Sequence, residues 1–259
     1  SLIKRKIKIF LKTFKILITY LIRFLLFKLF IKKVSLSKNL NIFKVFFDPN
    51  FSKFNKEKNK NYFLLKKKYK KNNRLFFLPI INNFTIFNIF KSIRNINKES
   101  RKFLILEHHV SFSELITILF ICFFNKRKRI KINYKNKDIS KFYEYHLHDP
   151  KQIESLFLSF LYFQFIKNLS LRRKVIKNLL LLWENHPIDK ALIKALKTFY
   201  PKINTFGYLT VTPPLNYHSI IPTNLEMTHK LLPNYIYTNG SFVNNNLKKY
   251  TKQIKIKVF

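Results

Sequence analysis

Two groupings of side chains have donors that could hold a divalent metal: His108-His109 with Glu107 and Glu114, and His146-x-His148-Asp149. Neither carries the cysteine pair of a structural zinc site or the His-Glu-x-x-His spacing that puts two imidazoles on one helical face. They read as surface or RNA-facing histidines, and no metal ligand is assigned. Two glycines in 259 residues leave no loop to cradle a phosphate and no dinucleotide fingerprint. The twelve carboxylates are scattered, which gives no acid–base pair and no two-metal nuclease arrangement. Cys122 stands alone, which excludes an intramolecular disulfide and a cage of cysteines, and its apolar run Leu115–Phe124 makes it a core residue. The expectation is a chain that is not an enzyme, with no catalytic residue, no cofactor and no small-molecule substrate.

The charge balance points elsewhere. Lys and Arg number 51 against 12 Asp and Glu, a net charge of +39. Self-repulsion of that size destabilises a free compact monomer and is relieved beside a polyanion, either nucleic acid or an anionic membrane surface. With 47% hydrophobic and 17% aromatic residues the chain can still build a packed core. Its Lys, Asn, Ile, Phe, Leu and Tyr have largely A+T-rich codons, as in organelle genomes. That is a statement about coding, and it means that not every Lys or Phe is there for function.

Elements must then carry these charges. Ile3–Phe30 alternates Lys4, Arg5, Lys6, Lys8, Lys12, Lys15, Arg23 and Lys28 with Ile, Leu and Phe, and its longest uncharged run, Ile16–Ile22, falls short of a membrane span. It reads as a basic helix lying on RNA or membrane, with a mitochondrial presequence as the second reading. Residues 51–74 form a Lys-, Asn- and Tyr-rich segment, a solvated loop or an RNA-contacting arm. Leu75–Phe90 and Phe103–Phe124 look folded, with a strand at Phe103–Leu106 and a helix capped by Ser111 or Ser113. The plug Lys126, Arg127, Lys128 and Arg129 follows that helix and suits both the helix dipole and phosphate.

From Asp149 the pattern reads helix, helix, helix, hairpin. Asp149 caps the first helix, with Pro150 at its first position and Gln152 completing a capping box. Ser170 caps a second, with Leu171, Val175, Leu179 and Leu182 inward and Arg172, Arg173, Lys174 and Lys177 outward. Pro187 opens a third, whose stripe Ile188, Ala191, Leu192, Ala195, Leu196 and Phe199 ends at Pro201. Residues 203–221 read as a hairpin turning at Pro213-Pro214, docked through Tyr217 and His218. Asn224 caps a last short helix before Pro233. The fold expected is mainly α: a helical bundle with a protruding β-hairpin, plus a basic, partly extended N-terminal extension. Its divisions are an extension over 1–140, a helical domain over 141–232 and a basic tail over 233–259.

Asp149-Pro150-Lys151, Phe165-Ile166-Lys167, Ser170-Leu171, Lys174-Val175-Ile176, Pro187-Ile188, Ala195-Leu196 with Pro201, Tyr217-His218 and Ile221-Pro222 together resemble the family of small-subunit ribosomal protein seven. The family's Gly-Lys-Lys before its second helix is replaced by Lys167-Asn168-Leu169, the Arg-Arg and Gly-Gly of its hairpin by Tyr208–Thr212 and Pro213-Pro214, and its long basic C-terminal helices are missing or unrecognisable. The resemblance implies a structural constituent of the mitochondrial ribosome's small subunit, in the matrix. There it would bind rRNA of the head, the 3′ major domain, near exit-site tRNA and mRNA and beside other head proteins, and it would not be a free homo-oligomer. RNA contacts would come from Lys126–Arg129, Lys167, Arg172, Arg173, Lys174, Lys177, Lys194, Lys197, Lys202, Tyr217 and His218. A basic accessory subunit of an inner-membrane respiratory complex is the rival reading, since the N-terminal helix suits anionic lipid. A lesser one rests on Tyr237–Asn244, similar to the turn of the RNA-binding domain of small-subunit ribosomal protein four.

Overall fold

A computed structural model describes residues 2–47, 75–81, 86–99, 101–124, 133–134, 137–138, 140, 150–209, 221–251 and 254–258. Along the chain run α1 (Leu2–Phe30), β1 (Asn39–Phe47), β2 (Leu75–Ile81), α2 (Ile86–Lys98), a 3-10 turn (Leu106–His108), α3 (Phe112–Phe124), β3 (Asn133–Tyr134) and β4 (Lys137–Asp138). Then follow α4 (Pro150–Leu171), β5 (Val175–Leu182), α5 (Pro187–Phe199), β6 (Asn204–Leu209), α6 (Asn224–Thr228), β7 (Tyr235–Thr238), α7 (Ser241–Tyr250) and β8 (Lys255–Val258). Six strands form one sheet in the order β2-β1-β5-β6-β7-β8, every neighbouring pair parallel. β3 and β4 make a separate antiparallel pair.

This is an α/β fold, not a helical bundle with a hairpin. Two segments account for the difference. Residues 175–182 form strand β5, third of the six, between β1 and β6, and not a second helix. The run Leu179-Leu180-Leu181-Leu182-Trp183 is apolar on both faces, and such a strand is covered on both sides, so its residues match helical and strand spacing equally. Val175 and Ile176 lean it toward the strand. What separates it from α4 is a Schellman closure: Arg173 takes φ 54°, its amide reaches the Ser170 carbonyl at 2.9 Å, and the Lys174 amide reaches Leu169 at 3.1 Å. The second segment is 204–209, strand β6, whose neighbours β5 and β7 are both parallel to it, so it is no arm of a hairpin. Residues 210–220, with Pro213, Pro214, Tyr217 and His218, lie outside the described residues, as do Lys126–Arg129 and residues 51–74.

Other local expectations meet the structure directly. Helix α4 begins at Pro150 and α5 at Pro187. Ser111 is the cap of α3: its hydroxyl accepts from the Glu114 amide at 3.2 Å while Glu114 accepts from the Ser111 amide at 2.7 Å. Thr223, one residue before the expected Asn224, caps α6 with Glu226 in the same reciprocal way. The strand expected over Phe103–Leu106 is reduced to a single parallel bridge from Phe103 to Phe77, and Leu106 opens the 3-10 turn.

Register sorts the sheet into two faces. Lys44, Leu181, Gly207, Ile236 and Ile256 pair across it in one row, packed beneath α4, α5 and α7 in the larger core with Trp183, Leu192, Leu196 and Leu247. The next row, Phe77, Phe43, Leu180, Phe206, Tyr235 and Lys255, faces the other way. Over β1 and β2 that second face is closed by Ile89, Ile93 and Ile96 of α2 with Phe27 and Ile31 at the end of α1. Tyr235 and Tyr237 belong to neither core cluster.

Candidate nucleic-acid interface

An open parallel sheet whose order reverses, here between β1 and β5, ordinarily binds ligands outside the carboxyl ends of its strands. Among the described residues, that edge holds the protein's own ion pairs. Lys44 of β1 pairs with Asp189 in the first turn of α5, and both side chains are buried. Asp189 also accepts from the His186 amide at 3.3 Å, closing the start of the helix. His186 Nε2 meets Glu184 Oε2 at 2.8 Å; their mutual hydrogen bond raises the imidazole above its ordinary range and lowers the carboxyl. Lys190 pairs with Glu226, which also accepts from Asn185 at 3.3 Å. Two lysines and a histidine meet three carboxylates there, and the strand–helix turn at Gly240 contributes the only described glycine with positive φ.

The same pattern extends through the described residues. Of the twelve carboxylates, Asp48, Glu57, Glu144 and Asp149 lie outside them, and each of the other eight has an internal partner. Glu99 meets Arg101 at 2.8 Å and Glu107 meets Arg23 at 3.0 Å. Glu154 accepts from the Tyr20 hydroxyl at 2.7 Å, and Asp138 from the Ser140 amide at 2.8 Å. Burial pushes the Glu114 carboxyl up, but hydrogen bonds from Ser111, Asn168 and Gln164 outweigh it and hold the group below its usual range. Among the described residues no three His, Cys, Asp or Glu side chains gather as a metal set.

Eleven of the described lysines and arginines stand at the opposite edge. In a parallel sheet every helix that follows a strand returns its C-terminus to the amino ends of the strands. The negative end of each helix dipole and the loops leading into the strands therefore share one side. Lys32, Lys33 and Lys38 precede β1; Arg172, Arg173 and Lys174 precede β5; Lys202 precedes β6; Lys230 precedes β7; Lys248, Lys249 and Lys255 lie at the end of α7 and the start of β8. All but Lys174 are exposed. Buried His109 registers their field: burial first, then Arg172, His108, Lys33 and Lys174, push its imidazole down to about 3. Neutral His109 in turn accepts at Nδ1 from Arg172 at 3.1 Å, while Asn168 donates to its carbonyl at 2.8 Å, so the helix end that carries Arg172 is held from two sides. His109 is thus a buried positioning group and not a surface histidine.

The expected contact residues divide accordingly. Lys167, Arg172, Arg173, Lys174 and Lys177 gather around the α4–β5 junction, and Lys197 and Lys202 around the α5–β6 junction. Lys194 lies one turn earlier on α5 and donates to the His229 carbonyl at 3.2 Å; Lys197 donates to Leu232 at 2.6 Å. Lys174 reaches the Leu36 carbonyl at 2.9 Å, tying the loops before β1 and β5 together. Sequence reasoning missed Lys32, Lys33, Lys38, Lys230, Lys248, Lys249 and Lys255. The signal for them was positional: each lies beside the start of a strand, which matters only once the strands are known to be parallel.

Apolar surface is also left uncovered. On α1, Ile7, Leu11, Phe14 and Ile18 are exposed at three- and four-residue spacing with Leu25 seven residues on, and Phe87, Phe90, Phe112 and Phe120 are exposed on α2 and α3. No described helix is long and apolar enough to cross a membrane. No family model, curated protein or solved structure matches the chain.

Proposed function

We propose that this chain is a structural, rRNA-binding constituent of the small subunit of the mitochondrial ribosome. One observation carries the reading: the described carboxylates are all engaged inside the molecule, whereas the cations of the strand-leading loops stand outward on a single edge. Such an edge neutralises phosphates and releases their counterions without any special ligand chemistry. The exposed apolar stripes on α1, α2 and α3 suit a chain packed among neighbours in a large assembly. The A+T-biased composition suits an organellar gene. A position in the head near the exit site rests on a helix-and-hairpin arrangement that this chain lacks, so the proposal stops at the small subunit.

The test is fractionation of organelles from cells carrying a tagged chain. The tag is expected to sediment with small-subunit rRNA and to disperse after RNase. Extraction only by detergent, with no change on RNase treatment, would instead support the inner-membrane accessory subunit.

A further inference from the structure

The β6–β7 end of the sheet's second face offers more than charge. Phe206 stacks on Tyr235 with centroids 5.1 Å apart and planes at 18°, and Tyr208 stacks on Tyr237 at 5.1 Å and 13°. Phe206 and Tyr237 join the two pairs at 6.4 Å. All four rings are only half-buried. They stand on neighbouring parallel strands, so their order is set by backbone register and not by flexible loops. Lys255 and Lys257 extend the same rows one strand further and are exposed, with the Lys255 amine 5.6 Å from the Tyr235 ring centre.

At the foot of these rings, on the basic edge, a cleft of about 300 Å³ is lined by Lys197, Lys230 and Lys255 with Asn204, Asn234 and Tyr235. Its three lysines come from three separate elements. Burial first, and then Lys230, lower the Lys197 ammonium below its usual range. Asn234 Oδ1 is fixed by the Thr205 amide at 3.2 Å and its hydroxyl at 2.6 Å, which orients the Asn234 amide group. Glu226 also borders the cleft, but its charge is matched by Lys190.

We propose that this cleft and the adjoining rings are one site for unpaired RNA nucleotides, with a phosphate among Lys197, Lys230 and Lys255 and bases stacking over Tyr235 and Tyr237. Stacking on sheet-borne rings beside a cationic groove is how proteins hold single strands, whereas a duplex hides its base faces and would meet only the lysines. The proposal deepens the rRNA-binding reading and rests on it.

The full chain is titrated against a fluorescently labelled ten-nucleotide oligouridylate and against a duplex of equal length. Tighter binding of the single strand is expected. Tyr235→Ala and Tyr237→Ala, checked for folding by circular dichroism, should each weaken the single strand by about 5- to 100-fold and leave the duplex nearly unchanged. Lys230→Gln, at an exposed loop, should lower the slope of log affinity against log salt by about 1 without touching the fold. Excess uridine monophosphate should leave the oligomer bound. Wild-type preference for the duplex, unaltered affinity in all three variants, or full displacement by the mononucleotide would each overturn the site, the last in favour of a free nucleotide. If wild type binds rRNA with steep salt dependence while the variants match it, the site fails and the rRNA reading stands. If wild type binds no RNA at all, both fail.

Discussion

Gly207 lies where the sheet meets Trp183: a Cβ placed there would come 2.9 Å from Trp183 Cβ and 3.2 Å from Pro233 Cγ. Gly207→Ala therefore overpacks the core and should cost about 1–3 kcal/mol in chemical denaturation. Lys44 and Asp189 are more exacting, because removing one leaves the other charged and buried. Asp189→Ala should cost about 3–5 kcal/mol, and the double change Lys44→Met with Asp189→Leu should recover more than half of it. The His186–Glu184 pair is half-exposed, so its contribution is small, but its pH dependence has a definite sign. His186 is raised in the folded chain, so its share of stability is complete below its ordinary 6.5 and lost as pH rises through the raised value. Glu184 is lowered, so its share is lost as pH falls through that lowered value. The difference in Tm between wild type and Glu184→Gln should thus peak in the mildly acid range and shrink above neutrality; a difference that grows with pH would refute the pairing.

At the scale of elements, the helices opened by prolines and a strand after Pro201 were legible, whereas β5 was read as a helix and the pairing of β6 as a hairpin. Pro150 and Pro187 announce α4 and α5 in the sequence because a proline fixes φ at the first helical position. β5 was hidden because a strand covered on both faces needs no alternation, and Leu179–Leu182 satisfies either period. β6 does alternate, with Thr205, Gly207 and Leu209 buried, but one strand's pattern does not say whether its partner runs with it or against it. The closure at Arg173 was likewise invisible, since glycine usually marks it and this chain has two. A prediction follows from that closure. Arg173→Gly relieves a side chain held at positive φ and should stabilise the fold by about 0.5–1 kcal/mol, while removing one cation from the basic edge. Tm should rise as RNA affinity falls. If both fall together, Arg173 is holding the junction by contacts other than its backbone.

At the scale of the molecule, a parallel sheet sends its helix C-termini and strand-leading loops to one side, and eleven of the described cations stand there. Composition led to the expectation of a polyanion partner, and the topology adds where those eleven charges lie. The candidate residues from 167 to 202 were chosen for charge on supposed helices; seven of those eight fall on the basic edge because they flank the starts of β5 and β6. The most direct test compares two triple variants of equal charge loss for binding to small-subunit rRNA across a salt series. One removes amino-edge cations, Lys38→Gln, Arg173→Gln and Lys202→Gln; the other removes exposed cations of α1 and α2, Lys12→Gln, Lys15→Gln and Arg94→Gln. The amino-edge variant should lower the slope of log affinity against log salt by about 3, and the helix variant should leave it nearly unchanged. Equal loss from both, or a larger loss from the helix variant, would contradict the placement of the RNA on the amino edge.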